Sequence, residues 1–385
     1  MRILHISSAR SIGGGERHLA DLAGALIRRG HEVYAALSTR STLQDELKSL
    51  PHANIFRLRL RNALDLGSAL ELARLVREHE IEVVHAHLAR DYPLAALAVA
   101  RARGSKLIIT RHVLFSLNKL HAVTLRRVAR VICVSRAVER ALLAQKIFPA
   151  RKLTVIPNGI DFRRFDESLY GFDRATFRRQ LQIEPESLLV GTVGEIKRQK
   201  GQEDFLRAAA LVARRNERAH FIIAGADNTQ TGERLESLKR LAAELGIAKR
   251  LHLTGWMDQV APLLASLDVY VSASHTESFG LTIAEAMAAG LPVVATATEG
   301  AREIIAQGGA GRLVGVGDHE ALAASVLQLL EDEEERARLG ALAGAQARAR
   351  FGLDRMAEAT EQVYLEVVGA KVGNDSDPFG VSIPF

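Results

Sequence analysis

One cysteine in 385 residues leaves no internal disulfide framework to hold the chain together. Cys133 sits in the apolar run Val131-Ile132-Cys133-Val134, which reads as a buried structural thiol in a reducing compartment rather than a nucleophile. Nor is there a stretch of the roughly 20 consecutive apolar residues that a membrane-spanning helix needs. The opening Met1-Arg2-Ile3-Leu4-His5-Ile6 has no apolar signal core and reads directly as a strand. A soluble, cytoplasmic protein is the expectation. Aromatics are scarce at 5% while hydrophobic residues reach 48%, a balance that excludes disordered and fibrous classes.

The net charge of +6 is unevenly spread. Residues 1–160 carry 26 Lys/Arg against 12 Asp/Glu, and the remainder carries 25 against 33. The first half should therefore attract something anionic, unless its arginines only solvate helix faces. No nucleic-acid motif accompanies the basic surplus, so a nucleic-acid partner is not expected. An anionic membrane surface remains open. The densest basic stretch, 112–130, puts Leu117, Leu120, Thr124 and Val128 on one face if it is helical, with Lys119, Arg126 and Arg130 elsewhere.

Short β-branched runs alternate with amphipathic stretches from end to end, the pattern of βαβ units and parallel sheets. Strands are expected over 2–6, 33–37, 83–86, 106–110, 131–134 and 153–156, and again over 188–193, 220–224, 251–254, 269–272 and 292–296. Two tandem doubly wound, Rossmann-like domains facing a central cleft follow, with ligands at the carboxyl ends of the strands. The expected divisions are a first domain over 1–165, a link over 166–186 and a second domain over 187–350. A C-terminal helix over 351–370, able to cross back to the first domain, and a tail over 371–385 complete the chain. The tail's Asp375-Ser376-Asp377 has metal-ligand spacing but no framework to hold it, and no metal is assigned there.

The most informative segment runs from Ala273 to Thr296. A strand ends in a polar loop, and a helix begins near Leu281. Gly280 lets backbone approach a ligand closely. The first N–H groups around Phe279, Gly280, Leu281 and Thr282, with the helix dipole behind them, make a phosphate seat. Glu277 and Glu285 bracket that seat, with Ser278 between them, although Glu285 could merely compensate the dipole. An anion seat flanked by carboxylates suits a ligand carrying both phosphate and hydroxyls. Further back, Gly194-Glu195-Ile196-Lys197-Arg198-Gln199-Lys200-Gly201 follows a buried strand with a cluster of cations. Gly13-Gly14-Gly15-Glu16 follows the first strand without the Gly-x-Gly-x-x-Gly spacing of a nicotinamide site. His85-Ala86-His87 has a spacing that metals use, but no carboxylate or thiol cluster lies near it in sequence.

Over Arg2 to about Val367 the chain resembles the family 4 glycosyltransferases. The segment from Glu277 to Thr296 is similar to their Glu-x7-Glu motif with its Phe-Gly and Glu-Ala-Met-Ala-x-Gly-x-Pro continuation. The resemblance implies the GT-B fold and a retaining transfer from a nucleotide-diphosphate sugar, UDP-linked first and GDP-linked next. It implies that Glu277 contacts the donor sugar, that Glu285 binds the ribose, and that Lys200 holds the diphosphate. A departure stands at Glu195, where the family carries arginine; Lys197 or Arg198 could restore that cation. Gly13, Gly14 and Gly15 match the loop facing donor phosphates and acceptor. His112 matches a histidine near the reacting sugar, and Gly255-Trp256 the place of the base, unless Trp256 is core. Catalytic roles are thus expected of Glu277, His112, Lys200 and Arg198. Ile156-Pro157-Asn158-Gly159 resembles a structural hinge motif.

In such a transfer a β-phosphate oxygen of the donor takes the acceptor proton, so no acid–base carboxylate pair, cofactor or metal is expected. The acceptor class implied is a glycan or lipid-linked molecule of the cell envelope, met from the inner face of the plasma membrane. The alternatives are an epimerase or phosphorylase on the same scaffold, and a binding protein that has lost transfer, which Glu195 suggests.

Overall fold

The computed structural model describes residues 1–229, 231–305 and 309–369; the expected tail and its Asp375-Ser376-Asp377 lie outside the described residues. Two compact units emerge, one made of Met1–Gly159 with the stretch from Leu353, the other of Ile160–Gly352.

The first unit holds seven parallel strands: β1 Arg2–Ser7, β2 Glu32–Ser38, β3 Ile55–Leu58, β4 Val83–Ala86, β5 Lys106–Arg111, β6 Val128–Cys133 and β7 Leu153–Val155. Their order is β3-β2-β1-β4-β5-β6-β7, so the chain reverses its direction of travel across the sheet between β1 and β4. Helices cover both faces, which is why the inner strands read as unbroken apolar runs. Ile3, Leu4, Val83, Val84 and Ile108 are fully buried. The second unit repeats the plan with β8 Leu188–Val193, β9 Ala219–Ala224, β10 Leu251–Gly255, β11 Val269–Ser272, β12 Val293–Thr296 and β13 Gly311–Val314. Its order, β10-β9-β8-β11-β12-β13, reverses between β8 and β11. In each unit the residues that follow the strands at the reversal are therefore the ones placed for ligands.

The helix Leu353–Val368 belongs to the first unit. Its Tyr364 is buried and bonds His85 at 2.6 Å. The Gly159 amide donates to Met356 Sδ at 3.0 Å, and Arg130 pairs with Glu366 at 2.8 Å.

The stretch 166–186, expected as a link, is instead ordered within the second unit, which begins at Ile160. Asp161 and Asp173 cap the short helices Phe162–Glu167 and Arg174–Gln180. Arg178 anchors the second of these: it is buried, donates to the carbonyls of Ser266, Pro185 and Ser187, and pairs with Asp268 at 2.7 Å. A buried guanidinium needs that many acceptors.

The stretch 112–130 is not one amphipathic helix. Only Lys119–Thr124 is helical, Leu125 is buried, and Val128 opens β6, where ladder pairing overrides the helical period. Among the described residues no helix is long and apolar enough to cross a membrane.

Candidate functional site

In the second unit the residues singled out from the sequence gather after β8 and β11. Gly280, at φ +97°, turns the chain into the helix Leu281–Ala288. Its first amides have no earlier carbonyl within the helix to bond, and the dipole favours an anion there. Glu277 is nearly buried in the preceding loop. Its Oε1 accepts from the Ser274 hydroxyl at 3.2 Å and from the Lys200 ammonium, while the Gly300 amide bonds its carbonyl at 3.0 Å.

Lys200 ends the short turn Arg198–Lys200 after β8. Two further contacts lock that turn onto the Glu277 loop. The His275 amide donates to the Gln199 carbonyl at 2.8 Å. Gly201, at φ +64°, runs so close to Ala273 that a Cβ would stand 1.9 Å from its carbonyl oxygen. His275 itself is exposed and pairs with Asp204 at 2.6 Å.

Glu285 is half-buried one turn into the same helix. The Tyr270 phenol reports on both carboxylates: burial raises its pKa, the Thr282 hydroxyl works the other way, and the charges of Glu277 and Glu285 raise it further. Leu281, Thr282 and Ser278 are partly accessible at the helix start. Phe279 is turned inward, edge-on to Phe351 with ring centres 5.5 Å apart, so only its backbone faces outward chemistry.

At the departure from the family pattern, Glu195 pairs with Lys197 at 2.6 Å and accepts from Asn228 at 3.2 Å. Burial opposes that carboxylate, but Lys197 and Asn228 outweigh it and hold its pKa below the ordinary value. Lys197 is thus committed to Glu195, and Arg198 is the exposed cation beside Lys200. Trp256 is not core: it is 52% exposed, with its indole N–H on Asp258 at 2.8 Å, after Gly255 ends β10 at φ +71°.

In the first unit, Gly13, Gly14 and Gly15 open the helix Gly14–Arg28, with the Gly13 amide on Glu16 at 3.0 Å. A Cβ on Gly15 would lie 3.6 Å from the His112 ring, so the two expected site elements are neighbours. His112 follows β5, partly accessible, with its Nε2 3.4 Å from His87 Nδ1. Five histidines meet here, His5, His18, His85, His87 and His112. Only the last three drew attention in the sequence, because parallel pairing, not spacing, brings the others in.

A family model described as glycosyl transferases group 1 matches residues 173–345, and one described as Glycosyltransferase Family 4 matches 12–164. The D-inositol 3-phosphate glycosyltransferase of Thermobispora bispora is 31% identical over 325 residues, 79% of this chain and 74% of its own. The lipopolysaccharide core biosynthesis glycosyltransferase LpsE of Rhizobium meliloti is 25% identical over 376 residues, 96% of this chain and all of its own length (100%). Among solved structures, HepE of Anabaena in complex with UDP and glucose superposes with a TM-score of 0.84 at 24% identity, covering 95% of this chain and 100% of that one.

Proposed function

The chain belongs to the group 1 glycosyl transferases, glycosyltransferase family 4, and on that premise we propose that it moves a hexose from UDP-sugar to a hydroxyl of a glycan or lipid-linked acceptor of the cell envelope, retaining the sugar's configuration and using no metal in the transfer step. The observation that carries this reading is the Lys200–Glu277 pair, set against a helix N-terminus that also bears Glu285. An ammonium and a carboxylate this close and largely buried hold each other until a ligand offers each a better partner. A diphosphate sugar does so: phosphate for Lys200, hydroxyls for Glu277. Arg198 and the helix amides add positive potential where the leaving diphosphate gathers charge. A β-phosphate oxygen then takes the acceptor proton as the new glycosidic bond forms. UDP is taken from the ligand of HepE, and the envelope acceptor from the role of LpsE. Contacts from His112 and Gly13–Gly15 to the reacting sugar and donor phosphates belong to the same proposal, as do the division of labour between the two domains and an inner-membrane location.

Two substitutions separate the carboxylates. Glu277→Gln keeps the shape but weakens charged hydrogen bonds to sugar hydroxyls, each worth about 1.5–3 kcal/mol. Turnover is expected to fall tenfold or more in excess chelator, while UDP affinity holds or tightens because Lys200 is released. Collapse of UDP affinity with turnover intact overturns the assignment. Glu285→Ala should instead weaken UDP binding by about tenfold, since two ribose hydroxyls lose a charged acceptor. Calorimetry reads this directly, and unchanged affinity reduces Glu285 to dipole compensation.

Peripheral membrane contact has one support: Phe115 and Val123 are 64% and 67% exposed, in the same stretch of chain as the exposed Arg126 and Arg127. Cations at an anionic surface contribute about 1 kcal/mol each. Flotation with anionic vesicles at low salt is expected, and its loss in Arg126→Glu with Arg127→Glu; equal flotation with neutral vesicles excludes the idea.

A further inference from the structure

At the carboxyl edge of the first sheet, where the strand order reverses between β1 and β4, we infer that His18, His87 and His112 form a binding site for a divalent ion of the zinc class. Their ligand atoms all lie within 4.8 Å of one another. His18 comes from the helix after β1, His87 from the end of β4 and His112 from the end of β5.

One distance and the surroundings of His18 argue for an ion over a plain hydrogen-bonded cluster. His87 Nδ1 and His112 Nε2 are 3.4 Å apart. That is long for a hydrogen bond, yet two nitrogens each about 2.0–2.1 Å from a tetrahedral zinc stand about 3.3 Å apart. His18 is 4% exposed, and neither of its ring nitrogens has a partner in ordinary hydrogen-bond geometry, Asn158 being the polar side chain that acts on the ring. Burying imidazole nitrogens so poorly partnered is costly, and a metal bond to one of them lowers that cost.

The surroundings match a metal's outer shell as well. His87 Nε2 lies 3.0 Å from His5 Nδ1, and the tautomer in which His87 Nε2 donates to His5 leaves His87 Nδ1 as the ligand. Asn158, acting on His18 and with its own Oδ1 buried unpartnered, is suited to the second His18 nitrogen. The other nearby trio, His5, His85 and His87, fits less well. Both nitrogens of His85 are already taken, by Tyr364 at 2.6 Å and Thr110 at 2.7 Å. Three imidazoles and no thiolate or carboxylate select zinc, cobalt, nickel or copper over magnesium or calcium. The partly accessible His112 supplies a way in.

Loading takes the lone pair of His112. If that residue serves at the reacting sugar, as the reading above has it, zinc lowers transfer; this consequence alone rests on that reading.

Cobalt(II) titrated into the metal-free chain is the probe. One equivalent should give the strong visible band of a tetrahedral ion, displaced by zinc. His18→Gln and His87→Gln should each lose the band by tenfold or more in affinity, with UDP still raising their melting temperature. His220→Gln should keep it, because the His220–His252 pair of the second unit, 3.1 Å apart, is the competing imidazole site. If His18→Gln does not fold, the partly accessible His112→Gln reports in its place. No band with the folded wild type, or a band kept in the His18 and His112 variants, overturns the site. A band without inhibition of transfer leaves the site standing and removes His112 from the reaction; inhibition without a band overturns the site.

Discussion

In excess chelator, the first unit is expected to lose about 4 kcal/mol of stability or more between pH 7 and pH 5. The cause lies in four histidines that folding buries. Burial lowers His5 to about 3, with the His18 charge adding to it, and lowers His18 to about 4, with the Asn158 carboxamide offsetting part of this. His85 and His87 fall well below the ordinary value, again by burial first and then by the neighbouring imidazoles. These groups stay neutral in the folded chain and charge in the unfolded one as pH drops below about 6.5. The unfolded state then binds more protons, so stability is fully present above that pH and falls below it. His5 and His18 each contribute about 2 kcal/mol over the interval, and His85 and His87 add in the same direction. His112 is partly accessible and is left out of the sum. Hydrogen exchange on peptides from β1, β4 and β5 reads the change within this unit. Protection that is equal at pH 7 and pH 5 means that these imidazoles titrate normally and that the burial argument fails.

The second large effect belongs to Gly201→Ala. The backbone there sits at φ +64°, where a side chain costs about 1–2 kcal/mol. A Cβ would also stand 1.9 Å from the Ala273 carbonyl oxygen, which is backbone and cannot rotate aside. Either the Lys200 turn or the Glu277 loop must move, and the His275–Gln199 bond at 2.8 Å and the Lys200–Glu277 pair go with it. The expected loss is about 3 kcal/mol or more in stability and tenfold or more in UDP affinity. Gly232→Ala is the control, because φ there is +66° yet nothing lies within 4 Å of its Cβ. It should cost only the conformational share and leave UDP binding unchanged. If the two variants melt alike, the contact between the loops does not matter.

The sheets were legible wherever strands are buried on both faces, because burial writes a continuous apolar run. The edges were not. β3 is four residues, Ile-Phe-Arg-Leu, with an arginine turned outward, and β13 opens on Gly311, whose Cβ would meet the Val293 carbonyl at 2.7 Å. Neither leaves an apolar run to read. The stretch 112–130 misled for the opposite reason: its leucines and valines fit a helical period, while Val128 is claimed by the β5–β6 ladder. Lys200, Glu277 and Glu285 were readable as a set because the motif keeps each at a fixed distance from a strand end. That Lys200 closes on Glu277 was not readable, since 77 positions separate them. The histidine cluster was hidden in the same way. His85-x-His87 is visible locally, but His5 and His18 reach it only because β1 lies beside β4, across the reversal of strand order.

The most direct measurement heats the purified chain with UDP, GDP, ADP or TDP, each in excess. A ligand that binds only the folded state raises stability by about 2.7 kcal/mol at a hundred times its Kd. UDP should raise the melting temperature of the wild type most, and the rise should shrink sharply in Glu285→Ala. No shift with any nucleotide, or a shift that Glu285→Ala leaves untouched, contradicts a nucleotide-sugar site built on Lys200, Glu277 and Glu285.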